Sequence, residues 1–131
     1  MINGLVSSAI SKNYLIGIDT LNAYPYYNST LSATYGLANL RFYTILAQYT
    51  VVDDAKASHI LYQVRNPNGT DATWKGVWKD SSTKWTTITK SQVPYVNKDD
   101  GLIFVEDYEL VWAFQRLTIG YYSESYAYEY V

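Results

Sequence analysis

Two neighbouring runs of β-favouring residues constrain the fold more than any other feature of this sequence. The first spans residues 41–52 and the second spans residues 59–64, and both are rich in β-branched and aromatic side chains. The segment between them, Asp53-Asp54-Ala55-Lys56, consists mostly of turn-forming residues. Because strands joined by a short turn pair with opposite directions, these residues predict an antiparallel pair.

Shorter patterns on either side predict the remaining elements. Apolar residues recur at helical spacing near the start of the sequence, and short apolar runs bounded by polar residues follow further on. The predicted fold is therefore α+β and β-dominated, an antiparallel sheet or open barrel with short helices. Its elements are a helix over 3–10 that ends before Asn13, strands over 14–18, 102–105 and 117–122, one or two helical turns over 106–114, and a long loop over 20–38.

Composition limits the class of protein. The 131 residues are 48% hydrophobic and 17% charged, with a net charge of −2, which is typical of one soluble domain. Lysine and arginine are scattered, so a nucleic-acid-binding face is not expected. No apolar stretch approaches the roughly 20 residues of a membrane span, and the first ten residues do not resemble a signal peptide. We therefore expect an intracellular protein without a membrane span.

Cysteine is absent from the sequence. Disulfides, thiolate metal sites and a cysteine nucleophile from this chain are thereby excluded.

Tyrosine is the compositional outlier, with 15 residues, several of them near the C-terminus. Its ring and hydroxyl suit half-buried sheet faces and wet interfaces alike, so both readings stay open. We expect one domain over residues 1–120 and a Tyr-rich arm over residues 121–131.

One long stretch of the sequence has a distinctive order of residues. Leu61-Tyr62-Gln63-Val64-Arg65-Asn66-Pro67-Asn68-Gly69 is followed by Trp74-Lys75-Gly76-Val77-Trp78-Lys79-Asp80 and Trp85. This stretch resembles the second half of the calpain protease core, in which Arg-Asn-Pro-Trp-Gly is followed by Trp-x-Gly-x-Trp-x-Asp and a further Trp. Residues 12–17, 36–44 and 100–117 are similar to other segments of the same core. The resemblance implies a papain-like cysteine protease fold, of which these residues form the β-rich half that carries the histidine and asparagine.

The resemblance also implies that the catalytic positions are vestigial. Asn66 matches the amide that orients the imidazole, but Arg41 matches the histidine itself. A guanidinium cannot serve as a general base near neutral pH. His59 does not match the motif, and we expect it to be a strand-end or surface residue. Asn68 replaces the tryptophan that shields the amide in the family.

Calcium positions of the family are only partly kept. Asp80 and Asp100 match two ligands, whereas Thr73 and Leu102 replace acids. Asp71 and Asp99 lie nearby in the sequence and are the alternative source of carboxylates. Since calcium takes 6 to 8 oxygens, we expect weak or absent binding and no cofactor. Trp74 and Trp78 suggest loop packing, with a carbohydrate platform as the alternative.

Three functions remain open. The first is a non-catalytic module of the calpain family, cytoplasmic or associated with the cytoskeleton. It would act as a structural or regulatory subunit, or as a fragment, in contact with a protein partner or with other copies of itself. Its contacts would come from Arg41, Trp74, Trp78, Tyr126 and Tyr128.

The second function is half of a calcium-dependent cysteine protease, completed by a Cys-bearing chain and by His59 or an outside imidazole. The third is a secreted carbohydrate-binding domain, suggested by the aromatics and by the glycosylation triplets at Asn28 and Asn68.

Overall fold

An open antiparallel sheet with short helices forms the domain. The computed structural model describes residues 2–12, 14–20, 34–37, 42–66, 69, 74–114 and 116–120. The five strands lie in the order β4-β3-β2-β1-β5, and every pairing is antiparallel. The elements in chain order are α1 (Ile2–Ser11), β1 (Leu15–Asp19), β2 (Phe42–Val52), β3 (Ser58–Arg65), α2 (Thr87–Lys90), β4 (Leu102–Glu106), α3 (Asp107–Ala113) and β5 (Arg116–Gly120).

These elements confirm the predicted α+β, β-dominated class and the predicted β2–β3 pair. The helix and strands predicted around them also form, and within the described residues their bounds differ by at most one residue. The predicted strand over 117–122 is described as far as Gly120, and its last two residues lie outside the described residues. Most of the predicted loop over 20–38 and the whole 121–131 arm lie outside the described residues. Within the described ranges, none of the helices is long and apolar enough to cross a membrane.

A β-bulge in β2 directs its side chains to both faces of the sheet. Ile45 and Ala47 pair with successive residues of β3, which leaves Leu46 as the extra residue. The bulge reverses the alternation along the strand. Ile45 therefore packs in one core, whereas Val51 packs in the other.

Two hydrophobic cores cover opposite faces of the sheet. The first packs α1 and α3 against one face, with Val6 and Leu110 among its members. The second packs the segment between β3 and β4 against the other face, through Trp78 and Trp85. Successive residues of β4 alternate between the two: Ile103 and Val105 in the first core, Phe104 in the second. This long segment is thus held to the sheet by aromatic side chains.

The short helix α2 was not predicted from the sequence. Thr86 caps it: its hydroxyl accepts the N–H of Thr89, and the Thr89 hydroxyl accepts the N–H of Thr86. This reciprocal capping satisfies two backbone donors that a four-residue helix leaves open. Threonines at both positions give no apolar period, which explains why the pattern was missed.

Candidate functional site

Antiparallel pairing brings the end of β3 beside the start of β2. Thr44 lies opposite Arg65, so Asn66 follows β3 at the end of the sheet where β2 begins. Asn66 is half-buried, and its backbone N–H donates to the carbonyl of Gly101 at 2.7 Å. Arg41 directly precedes β2 in sequence and lies outside the described residues. This end of the sheet is where the family would place its amide and imidazole.

His59 lies at the opposite end of the same strand. It is the second residue of β3, seven residues before Asn66. At roughly 3.3 Å per residue, the two positions are separated by about 23 Å along the strand. The predicted strand-end position of His59 is confirmed, and His59 cannot serve as a displaced base beside Asn66.

His59 instead lies between two carboxyl groups. Its Nε2 atom is 2.8 Å from Oδ2 of Asp53, and its Nδ1 atom is 2.6 Å from Oε1 of Glu106. The edge of its ring meets Trp78, with ring centres 5.4 Å apart. The hydrogen bond with Asp53 is the largest cause that raises the pKa of His59 above its ordinary value, and Glu106 acts in the same direction. The hydrogen bond from His59 in turn lowers the pKa of Asp53.

Glu109 adds a third carboxyl group to this region, and it is fully buried. Its two oxygens accept the backbone N–H groups of Glu106 and Val77, both at 3.1 Å. Its side chain is fully buried, and this burial raises its pKa. The residue thereby fastens the start of α3 to the loop that carries Trp78. Sequence reasoning missed both Glu109 and the His59 contacts, because no motif contains them.

The tryptophans that carry the family motif are packed in the cores. Trp78 is 1% exposed and donates its indole N–H to Oε2 of Glu106 at 3.0 Å. Trp85 meets Trp78 edge to face at 4.8 Å. Trp74 is 5% exposed and stacks on Tyr35. The structure therefore supports the packing interpretation of Trp74 and Trp78, because both side chains are buried.

The packing of Trp74 requires a glycine at position 76, between the two tryptophans. A Cβ atom at this position would lie 2.0 Å from Cζ2 of Trp74 and 2.4 Å from Cε2. The indole of Trp74 therefore occupies the space that any other side chain would need.

The positions matched to calcium ligands have other partners. Oδ2 of Asp80 accepts the N–H of Lys98 at 3.1 Å, and Oδ1 of Asp100 accepts the N–H of Leu102 at 3.0 Å. Both aspartates thus hold the loop that precedes β4. The neighbouring cleft, of about 410 Å³, is lined by Asp80 and Asp99 but also by Lys75, Lys79 and Lys98.

Among the described residues, the positions matched to calcium ligands offer few carboxylates for a calcium ion. Over the residues the structure describes, no group of three or more His, Cys, Asp or Glu side chains could hold a metal ion. Thr73 lies outside those residues. Calcium requires several carboxylates, and nearby positive charges repel it. The lysines that line the cleft therefore disfavour calcium binding.

Tyr126 and Tyr128, expected to contact a partner, also lie outside the described residues. Of the five residues assigned to contacts, the structure therefore describes only the two buried tryptophans.

Comparison with known proteins gives a consistent result. The family model described as calpain family cysteine protease matches residues 1–121. Calpain clp-1 of Caenorhabditis elegans is 33% identical over 64 residues, which are 49% of this chain and 8% of that protein. The calpain-type cysteine protease ADL1 of Oryza sativa subsp. japonica is 35% identical over 69 residues, 53% of this chain and 3% of that protein. The matched segments are therefore a small part of these relatives. Since the family match covers almost the whole sequence, this chain belongs to the calpain family of cysteine proteases.

Proposed function

We propose that this chain is a non-catalytic calpain-like module that acts through contacts with other protein chains. The observation that carries the proposal is the position of His59. It is the single histidine of the sequence, it lies at the far end of β3 from Asn66, and both of its ring nitrogens are engaged by carboxyl groups.

A Cys-bearing half supplied by another chain would not restore catalysis, because the imidazole at the matched position would still be missing. A cysteine thiol has an ordinary pKa of about 8.5, so a thiol protease needs an imidazole to generate the thiolate near neutral pH. The matched position holds Arg41, whose guanidinium keeps its proton and cannot accept another. Asn66 would then have no imidazole to orient.

Peptide hydrolysis tests the catalytic part of the proposal. The chain is mixed with the Cys-bearing protease half of a related calpain and a fluorogenic peptide, with and without calcium. We expect turnover no higher than that of a heat-denatured control. The Arg41→His variant should raise the rate at which the thiol reacts with iodoacetamide, because it restores an imidazole at the matched position. If the unmodified chain shows turnover and the His59→Ala variant does not, the proposal is contradicted.

Exposed apolar residues at the start of β2 and β1 support the contact part of the proposal. Phe42 is 56% exposed and Leu15 is 74% exposed. Phe42 pairs with Asp19, and strand alternation puts Leu15 and Asp19 on the same face, opposite to the first core. Exposed apolar side chains are typical of a contact surface, and Phe42 directly follows Arg41 in the sequence.

Charge reversal at Arg41 tests this surface. Arg41→Glu should weaken self-association or partner binding by about 1–3 kcal/mol, measured by sedimentation and co-purification, with little change in melting temperature. Lys56→Glu is the matched control, because it makes the same charge change in the turn at the other end of the β2–β3 pair. Equal assembly of the unmodified chain and Arg41→Glu would show that contacts lie elsewhere.

The carbohydrate-binding alternative gains no support from the described residues. Trp74, Trp78 and Trp85 are all buried, so they form no exposed platform on which a sugar could stack.

A further inference from the structure

The contacts of His59 demand a specific protonation state. A neutral imidazole carries one N–H, whereas an imidazolium carries two. Both ring nitrogens of His59 face carboxyl oxygens, at 2.6 and 2.8 Å, and an ionised carboxylate only accepts hydrogen bonds. Only the imidazolium can donate to both. In the neutral form, one ring nitrogen would direct its lone pair at a carboxylate.

The two carboxyl groups belong to different parts of the fold. Asp53 begins the turn between β2 and β3, and Glu106 is the last residue of β4 and the N-cap of α3. The other oxygen of Glu106 accepts the indole N–H of Trp78. His59 therefore connects the β2–β3 turn to the start of α3 and to the loop that carries Trp78.

The remaining charges near His59 do not replace its proton. The ammonium of Lys84 lies over the ring of Trp78, 5.5 Å from its centre. Asp54 accepts the hydroxyl of Thr86 at 2.7 Å, and Glu109 accepts the N–H of Glu106. Asp53, Asp54, Trp78 and Lys84 all line a cleft of about 240 Å³ beside the histidine. Loss of the proton thus leaves carboxylates facing a neutral ring, while the ammonium of Lys84 lies over the neighbouring Trp78.

We propose that Asp53, His59 and Glu106 form a pH-sensitive clasp. The protonated ring holds the β2–β3 turn against the start of α3, and loss of the proton releases the turn from the ring. Release occurs on the Asp53 side because Asp53 is more exposed than Glu106, with side-chain exposures of 27% and 13%. The other oxygen of Asp53 keeps the N–H groups of Ala55 and Ala57, so the turn itself persists.

The direction of the pH dependence follows from the two pKa shifts. The pKa of His59 is raised in the folded state, mainly by Asp53, so its stabilisation is complete below the ordinary value of about 6.5 and is lost as the pH rises through the raised pKa. The pKa of Asp53 is lowered, mainly by His59, so its stabilisation is present above about 3.9 and is lost on further acidification. The clasp is therefore closed in mildly acidic solution and opens as the pH rises.

The single histidine makes the titration directly observable. We expect the Cε1–H resonance of His59 to titrate with a midpoint above 6.5 in the full chain. Asp53→Asn should shift that midpoint downward, because it removes the charge nearest Nε2. Asp54→Asn is the matched control: its carboxyl group is held by Thr86, and the midpoint should stay in place.

Thermal unfolding between pH 5 and 9 supplies the second measurement. The melting temperature of the unmodified chain, relative to His59→Gln, should fall as the pH rises through the midpoint. This difference removes the contribution of Glu109, whose raised pKa is common to both proteins. A midpoint at or below 6.5, or a difference that is constant with pH, would overturn the proposal. Should His59→Gln not fold, the Asp53→Asn titration decides alone: an unchanged midpoint overturns the clasp.

Discussion

Alanine substitutions at Gly76 and Gly4 should have opposite effects on the stability of the fold. Gly76→Ala should destabilise the fold by about 1–3 kcal/mol, because the new Cβ would overlap the indole of Trp74. Gly4→Ala should stabilise it by up to about 1 kcal/mol, since Gly4 lies in α1 with open space at its Cβ position. Urea unfolding followed by tryptophan fluorescence measures both changes. A Gly76→Ala protein as stable as the unmodified chain would contradict the described position of Trp74.

Residues within a continuous motif were predictable, and residues joined across the fold were not. Adjacent residues of the sequence were enough to predict the Trp-x-Gly-x-Trp loop and the position of Asn66 at a strand end. His59 finds its partners six and 47 residues away along the chain. Such contacts depend on how strands pair, which single-sequence periodicity does not report.

At the scale of elements, strands were predicted where propensity and tertiary packing agree. β3 was predicted from its β-branched and aromatic residues, and its burial does not alternate, because Leu61 and Tyr62 are buried in different cores. β2 was predicted from its β-branched and aromatic residues, but the bulge at Leu46 hid which side chains share a face. The helix α2 depends on reciprocal threonine capping rather than on an apolar stripe, so its four residues gave no period to detect.

For the molecule as a whole, calcium should have little effect on stability. A ligand stabilises by RT ln(1 + [L]/Kd), which is about 0.4 kcal/mol when its concentration equals Kd. For a domain of this size, we therefore expect millimolar calcium to raise the melting temperature by only about 1–3 °C. Magnesium at the same concentration is the control for ionic strength. A rise of many degrees that Asp80→Asn abolishes would show that the lysine-lined cleft binds calcium after all.

The place of β5 beside β1 has a consequence for folding kinetics. Leu15 pairs with Gly120, so strands near opposite ends of the described chain are neighbours in the sheet. The β2–β3 pair closes through a short turn at a small cost in loop entropy, whereas pairing β1 with β5 must close the long chain segment between them. On the ribosome, β1 therefore emerges long before β5 can pair with it. One edge of the nascent sheet stays open until that late strand arrives.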